Sequence, residues 1–383
     1  MTMKLKYLDE MREIGNPYPN SEYIEKWKEN GGKVIGWICN YVPEEIIHAA
    51  KMLPYRMTGA SEEIEMEDGD AYLHIYSCSF TRSCCQLAVE GKFKFLDGFV
   101  STAMCDGSRR LADVIDHYGF VDLIASLGVP RKFDEKSEAL YRREIFQFKK
   151  RLEAYSESEI SDDSIRDSIR LYNRTRQLLK ELYDLRKLDA PPVSGAETLE
   201  VLNAVTRMPR EKFNEILEKL LAEIKGRRVN SDWKVRLMID GSIIQNIDFV
   251  KSIEELGGLV AMDGLCNGAR YWEGEVDTGL EPIPALSRYY LNKFPCPRFY
   301  PPTVRTDKVM NLIKEFRIEG IICQIIRYCN THTWDFPILR SEVEEIGIPT
   351  LRLDTEYGQG ATGRIKTRVQ AFIEMLQERK VAR

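Results

Sequence analysis

"GKVIGWICNYVPEEIIHAAKMLPYRMTGA", residues 32–60, switches between two kinds of segment. The apolar run from Lys33 to Cys39 reads as a buried strand, Pro43-Glu44-Glu45 opens a helix, and a second strand follows it. Proline suits a helix start because its missing N–H would have no partner there, and acids in the first turn complement the positive end of the helix dipole. Strand, helix and strand in close succession predict a parallel sheet with helices on its faces. The same grammar returns in "FLDGFVSTAMCDGSRRLADVIDHYG" (95–119), with a strand over Gly98–Ala103, a loop holding Cys105 and a helix from Ser108. It returns in residues 233–272, where the second strand ends at Asp263, and in 317–360, where two strands flank a helix. "RIKTRVQAFIEML" (364–376) closes the chain as an amphipathic helix. A short strand is also expected over Ala71–Ser77, before a helix across 80–90.

Between these parts the texture changes. Residues 137–230 carry long charged stretches with apolar positions at helical spacing, interrupted by "KLDAPPVSG" (187–195). The expected organisation is an N-terminal helical segment (1–30), a Rossmann-like domain (31–136), a helical linker segment (137–230) and a second Rossmann-like domain (231–383). The fold class is α/β, two Rossmann-like parallel-sheet domains joined by a helical segment.

Composition narrows the function. The chain has 383 residues, 43% apolar and 30% charged, the balance of a globular protein. A net charge of -5 and a pI near 5.7 argue against a nucleic-acid partner. The start lacks the apolar core of a secretory signal, and no run approaches the roughly 20 apolar residues of a membrane helix. A cytoplasmic protein with no membrane partner is expected. Its nine cysteines are an odd number for a disulfide scaffold, and a reducing compartment leaves them as thiols.

Six of those thiols fall beyond strand ends or in loops: Cys39, Cys78, Cys105, Cys266, Cys296 and Cys329. Open α/β sheets bind ligands in the crevice beyond the carboxyl ends of their strands. The competing reading is that a free cysteine packs as a small hydrophobe. It fits Cys323 in "GIICQII", and Cys84 and Cys85 inside the helix of "YSCSFTRSCCQ" (76–86). No C-x₂₋₄-C pair of the kind that marks zinc is present, and His48, His74, His117 and His332 offer no i, i+4 pair. Iron–sulfur clusters can take thiolates that are distant in sequence.

"GWICNYVPEEIIHAAKMLPYR" (36–56), "CSFTRS" (78–83), "FLDGFVSTAMCDGSRRL" (95–111), "DGLCNGARYW" (263–272) and "RYCNTHTWDFPILRSEVEEIGIPTLRLDTEY" (327–357) together resemble the benzoyl-CoA reductase and 2-hydroxyacyl-CoA dehydratase family. The resemblance spans nearly the whole chain in the same motif order. It implies a [4Fe-4S] cluster between two Rossmann-like domains, held by Cys78, Cys105 and Cys329, with one iron open. It also implies an ATP-hydrolysing activator that delivers a low-potential electron, and an acyl-CoA substrate reduced to a ketyl radical. A 2-hydroxyacyl group then loses hydroxide, or an aromatic ring is reduced. Cys39, Cys266 and Cys296 match positions used in related double-cubane reductases, which implies a double-cubane [8Fe-9S] cluster as the alternative cofactor.

"LCNGARYW" is similar to the aromatic reductase side of the family. The expected function is therefore an iron–sulfur subunit of an ATP-dependent, benzoyl-CoA type reductase, working with a paralogous iron–sulfur subunit. The alternatives are a 2-hydroxyacyl-CoA dehydratase subunit, a homodimeric double-cubane reductase of small molecules, and a scaffold subunit whose cluster only relays electrons. Arg270, Arg109 with its neighbour Arg110, and Glu44 are the substrate-binding candidates, although a surface salt bridge accounts equally for the arginines and the helix dipole for Glu44. "DGSIIQN" (240–246) could receive an anion on its backbone N–H groups. Neither a dinucleotide fingerprint nor a phosphate loop is present, so ATP hydrolysis is assigned to another protein.

Overall fold

A computed structural model describes residues 5–15, 22–227, 229 and 232–381. Two four-stranded sheets form, and every strand pair in them is parallel. The first contains β1 (Val34–Trp37), β2 (Leu53–Arg56), β3 (Gly98–Thr102) and β4 (Leu123–Leu127), in the order β2-β1-β3-β4. The second contains β5 (Val235–Gly241), β6 (Gly258–Gly264), β7 (Gly320–Ile326) and β8 (Thr350–Thr355), in the order β6-β5-β7-β8. Strands β1, β2, β3, β5, β6 and β7 are buried along nearly their whole length, which is why they read as continuous apolar runs. In each sheet the strand order reverses between two central neighbours, β1 and β3 or β5 and β7. Such a reversal is where open α/β sheets place their ligand crevice, beyond the carboxyl ends of the strands.

The helical middle folds as Glu135–Ser156, Asp162–Asp184, Gly195–Ala204 and Arg210–Glu223. "KLDAPPVSG" breaks it as expected, and Ser194 near the end of that stretch restarts it with a capping box to Glu197. The helices Lys6–Gly15 and Glu22–Glu29 precede β1. The remainder of the expected 1–30 segment includes residues 1–4 and 16–21, which lie outside the described residues.

One expected element is replaced. Ala71–Ser77 forms no strand; the helix Glu67–Tyr72 ends inside it and a turn follows. An alternating strand needs one buried face, whereas here only Leu73 is buried and Ile75 and Tyr76 are 52% and 64% exposed. Sequence reading also assigns no element to 120–130 or 273–316. The structure puts β4 in the first of these, and the helices Pro282–Asn292 and Thr303–Phe316 in the second.

Candidate functional site

Three cysteines occupy the same local position. Cys78, Cys105 and Cys329 are the N-cap residues of the helices Ser79–Val89, Asp106–His117 and Asn330–Glu345. A helix N-terminus presents unpaired N–H groups and a positive partial charge, which favours a thiolate. The Ser108 N–H donates to Cys105 Sγ at 3.3 Å, so the thiol itself caps that helix. Cys78, Cys266 and Cys329 pack against Ile243, Ile326 and Tyr357 beside Phe80, in a small apolar cluster built from both halves of the chain.

The thiols influence one another in two overlapping sets, since Cys266 also shares the apolar cluster of Cys78 and Cys329. Burial raises the pKa of Cys78, and an ionised Cys105 beside it raises it further. Burial, Cys78 and Cys105 push Cys329 up to about 12. In the second group, burial and Cys266 push Cys39 up to about 12, with Cys296 adding to the effect. Burial also raises Cys296, partly offset by Arg270. Cys329 also senses Cys296, so the two groups adjoin. Ionising one thiol opposes ionising the next, and a bound cation would remove that opposition.

Cys266 is the exception. Burial alone would raise it, but Arg56 and Arg270 hold it below the usual thiol range. Arg56 Nη2 donates to Cys266 Sγ at 3.0 Å and its Nη1 donates to Cys266 O at 3.1 Å. This arginine ends β2 in the first sheet and reaches a loop after β6 in the second. Asn40, next to Cys39, donates its amide to the same carbonyl. The Cys266 loop is clamped by Asp263, whose Oδ1 accepts the N–H of Leu265 at 3.1 Å and of Ala269 at 2.8 Å. A Cβ on Gly268 would lie 1.9 Å from that oxygen, so the "CNGA" turn needs glycine.

Lys293 borders this second group. Its ammonium donates to Asn40 O at 2.7 Å, and burial with Arg176 nearby lowers its pKa to about 7. The Cys296 N–H donates to Tyr41 Oη at 3.0 Å. Buried donors without partners remain among the described residues around Cys266: Arg56 Nε, Arg270 Nε and the Ser242 hydroxyl. Such a set suits a group rich in acceptor sulfur, and half-buried thiolates suit iron, so the residues fit an iron–sulfur cluster.

Of the expected substrate-binding residues, Arg109 is exposed, in the first turn of the helix that follows Cys105. Its neighbour Arg110 makes surface ion pairs with Asp113 at 2.9 Å and Asp106 at 3.8 Å. Arg270 is buried and donates to the carbonyls of Gly241 and Ser242. Glu44 is buried with both oxygens engaged, by Arg210 at 2.8 Å and by the Tyr271 hydroxyl at 2.8 Å. "DGSIIQN" ends in Asn246, which caps its own helix through the Phe249 N–H at 3.2 Å.

Cys84, Cys85 and Cys323 are fully packed, as expected of filler residues. No sequence pattern marks the buried group Asp240, His332 and Asp335, whose ligand atoms lie within 4.8 Å of one another. Arg305 bridges its two carboxylates at 2.6 and 2.8 Å, so a guanidinium already balances their charge. Arg56, Asn40 and Lys293 carry no such pattern either; the only local hint is the place of Arg56 at a strand end.

Residues 39–376 match the family described as "2-hydroxyglutaryl-CoA dehydratase, D-component". The chain is 27% identical over 360 residues to a subunit of the benzoyl-CoA reductase of Thauera aromatica, covering 92% of this chain and 93% of the relative. It is 29% identical over 362 residues to the protein YjiM of Escherichia coli (strain K12), covering 91% and 93%. To the (R)-phenyllactyl-CoA dehydratase beta subunit of Clostridium sporogenes it is 24% identical over 380 residues, covering 97% and 99%. The family expected from the motifs is thus the one found, and the named relatives include subunits of a reductase and of a dehydratase.

Proposed function

The chain belongs to the 2-hydroxyglutaryl-CoA dehydratase D-component family, and we propose that it is the iron–sulfur subunit of an ATP-dependent, benzoyl-CoA type acyl-CoA reductase complex. The observation that carries this reading is the meeting of Cys78, Cys105 and Cys329, each at a helix N-terminus, from both α/β halves. These three would hold a [4Fe-4S] cluster, which supplies low-potential one-electron chemistry when bound. The protein's own part is to hold the thiolates with helix dipoles and to donate hydrogen bonds to sulfur. It also keeps water from the reacting carbonyl. Arg109, exposed beside Cys105, is the candidate for the phosphates of an acyl-CoA. Arg270 acts from the interior as a fixed positive charge near Cys266 and Cys296. Glu44 would serve the substrate only indirectly, since both its oxygens brace the helix that follows Cys39. A paralogous subunit and an ATP-hydrolysing activator complete the complex in this reading, and the compartment is the cytoplasm.

A second reading is favoured by one observation. Cys39, Cys266 and Cys296 form their own group, adjoining the first through Cys296 and Cys329. Six thiols would hold a bridged pair of cubanes, as in a double-cubane reductase. Anaerobic purification with iron and sulfide analysis tests both. About four irons per chain supports one cubane, about eight supports the pair, and an iron-free chain rejects the proposal. Assay of the complex with benzoyl-CoA against a 2-hydroxyacyl-CoA then distinguishes reductase from dehydratase.

A further inference from the structure

Tyr328, immediately before Cys329, has φ 64°. A non-glycine residue in this left-handed region is strained, and such strain persists where the surroundings enforce it and function retains it. Here the turn is enforced on both sides: Arg327 N–H donates to Thr355 O at 2.8 Å and Cys329 N–H to Ile326 O at 2.9 Å. Glycine would satisfy the backbone at less cost, so the phenol ring is the reason to look further. The ring is 40% exposed and meets Tyr76 edge-on, with centroids 5.2 Å apart.

Tyr76 belongs to the other α/β half, two residues before Cys78, and is 64% exposed. It also meets His74 at 5.0 Å, and its N–H donates to His74 Nδ1 at 3.2 Å. Each half of the molecule therefore carries an aromatic ring one or two residues ahead of one of the cysteines, and the rings meet edge-on across the boundary. We propose that Tyr76 and Tyr328 form an access gate at the mouth of the Cys78, Cys105 and Cys329 site, selecting by size what reaches the thiols. The inference rests on reading those three cysteines as one site. A single exposed aromatic contact is weak, so the gate opens thermally without either half unfolding.

The test is thiol labelling of the full-length, iron-free chain, read cysteine by cysteine by mass spectrometry, with iodoacetamide as the small reagent and a pyrene maleimide as the bulky one. Tyr76→Ala should accelerate labelling of Cys78, Cys105 and Cys329 by roughly 2–10-fold, the Boltzmann factor of one aromatic contact. The gain should be larger for the bulky reagent, and Tyr76→Phe should behave as wild type. Tyr328→Gly relieves the strain, so it should open the gate with an unchanged or raised melting temperature. The gate is overturned if Tyr76→Ala labels at the wild-type rate, or if Cys39, Cys266 and Cys296 accelerate equally, which is general loosening. Iron analysis of the wild type separates the two ideas. A wild type purified without iron that shows the labelling pattern keeps the gate and loses the cluster, and a wild type purified with iron whose chelated form lacks the pattern loses only the gate.

Discussion

Cys266 and Cys323 carry the same side chain in opposite settings. Cys266 sits in a loop clamped by Asp263 and faces two guanidinium groups, while Cys323 lies inside β7 with its thiol pKa driven well above normal by burial. Replacing each separates ligand from filler. Cys323→Ala should lose about 1 kcal/mol of stability, the cost of removing one small buried apolar group, and keep the wild-type iron content. Cys266→Ser should halve the iron where two cubanes are bound and leave a cubane spectrum behind. An unchanged count in Cys266→Ser would return that residue to a packing role. Arg56→Gln tests the same loop from outside the thiol set. It removes charged donors from Cys266 and should cost about 1.5–3 kcal/mol, read by urea unfolding.

At the scale of elements, the helix Gly195–Ala204 starts on a half-buried acid from another helix. Glu254 accepts the Gly195 N–H at 2.7 Å and the Ala196 N–H at 3.1 Å. Burial raises its pKa to about 6 in spite of those bonds. A carboxyl with a folded pKa above its unfolded one favours the folded state while protonated. Its contribution is fully present below the ordinary glutamate range and is lost as pH rises to about 6. The loss amounts to about 2 kcal/mol, at 1.36 kcal/mol per pKa unit. Glu254→Gln should show a flatter dependence of unfolding free energy between pH 4.5 and 7, and parallel curves for the two proteins would exclude the assignment.

This element also shows what was legible. Ser194 with Glu197 three residues on is a local signal, and the helix start could be read from it. Glu254 lies 59 residues away from Gly195, and no local pattern announces such a pairing. The same division holds at the site. The helix-start placement of Cys78, Cys105 and Cys329 was readable because a strand end or a turn precedes each and a helix follows, whereas singling them out from Cys39, Cys266 and Cys296 rested on the family resemblance. Arg56 was not, since it meets Cys266 across 210 residues. Ala71–Ser77 misled because its alternation of apolar residues is real but only Leu73 of the segment is buried.

In the whole molecule, the cysteine-bearing loops lie at the joint between the two α/β halves, beside an apolar core that both halves share. Arg56 and Asn40 reach Cys266, Lys293 reaches Asn40, and the Tyr357 N–H donates to Ser79 Oγ at 2.8 Å. A cluster held by Cys78 and Cys105 from one half and Cys329 from the other would tie that joint covalently. A group bound only by the folded chain raises its stability by mass action, and here the gain falls on the coupling of the halves. Anaerobic chelation of iron should therefore lower the calorimetric unfolding midpoint by several degrees, since 1 kcal/mol shifts it roughly 2–4 °C in domains of 150–250 residues. It should also resolve one transition into two, because the sheets β1–β4 and β5–β8 share no strand pairing. Cys329→Ala should reproduce the split without a chelator. Identical single transitions for loaded and chelated protein would mean that packing and the hydrogen bonds across the joint hold the halves together, and that a cluster adds nothing to them.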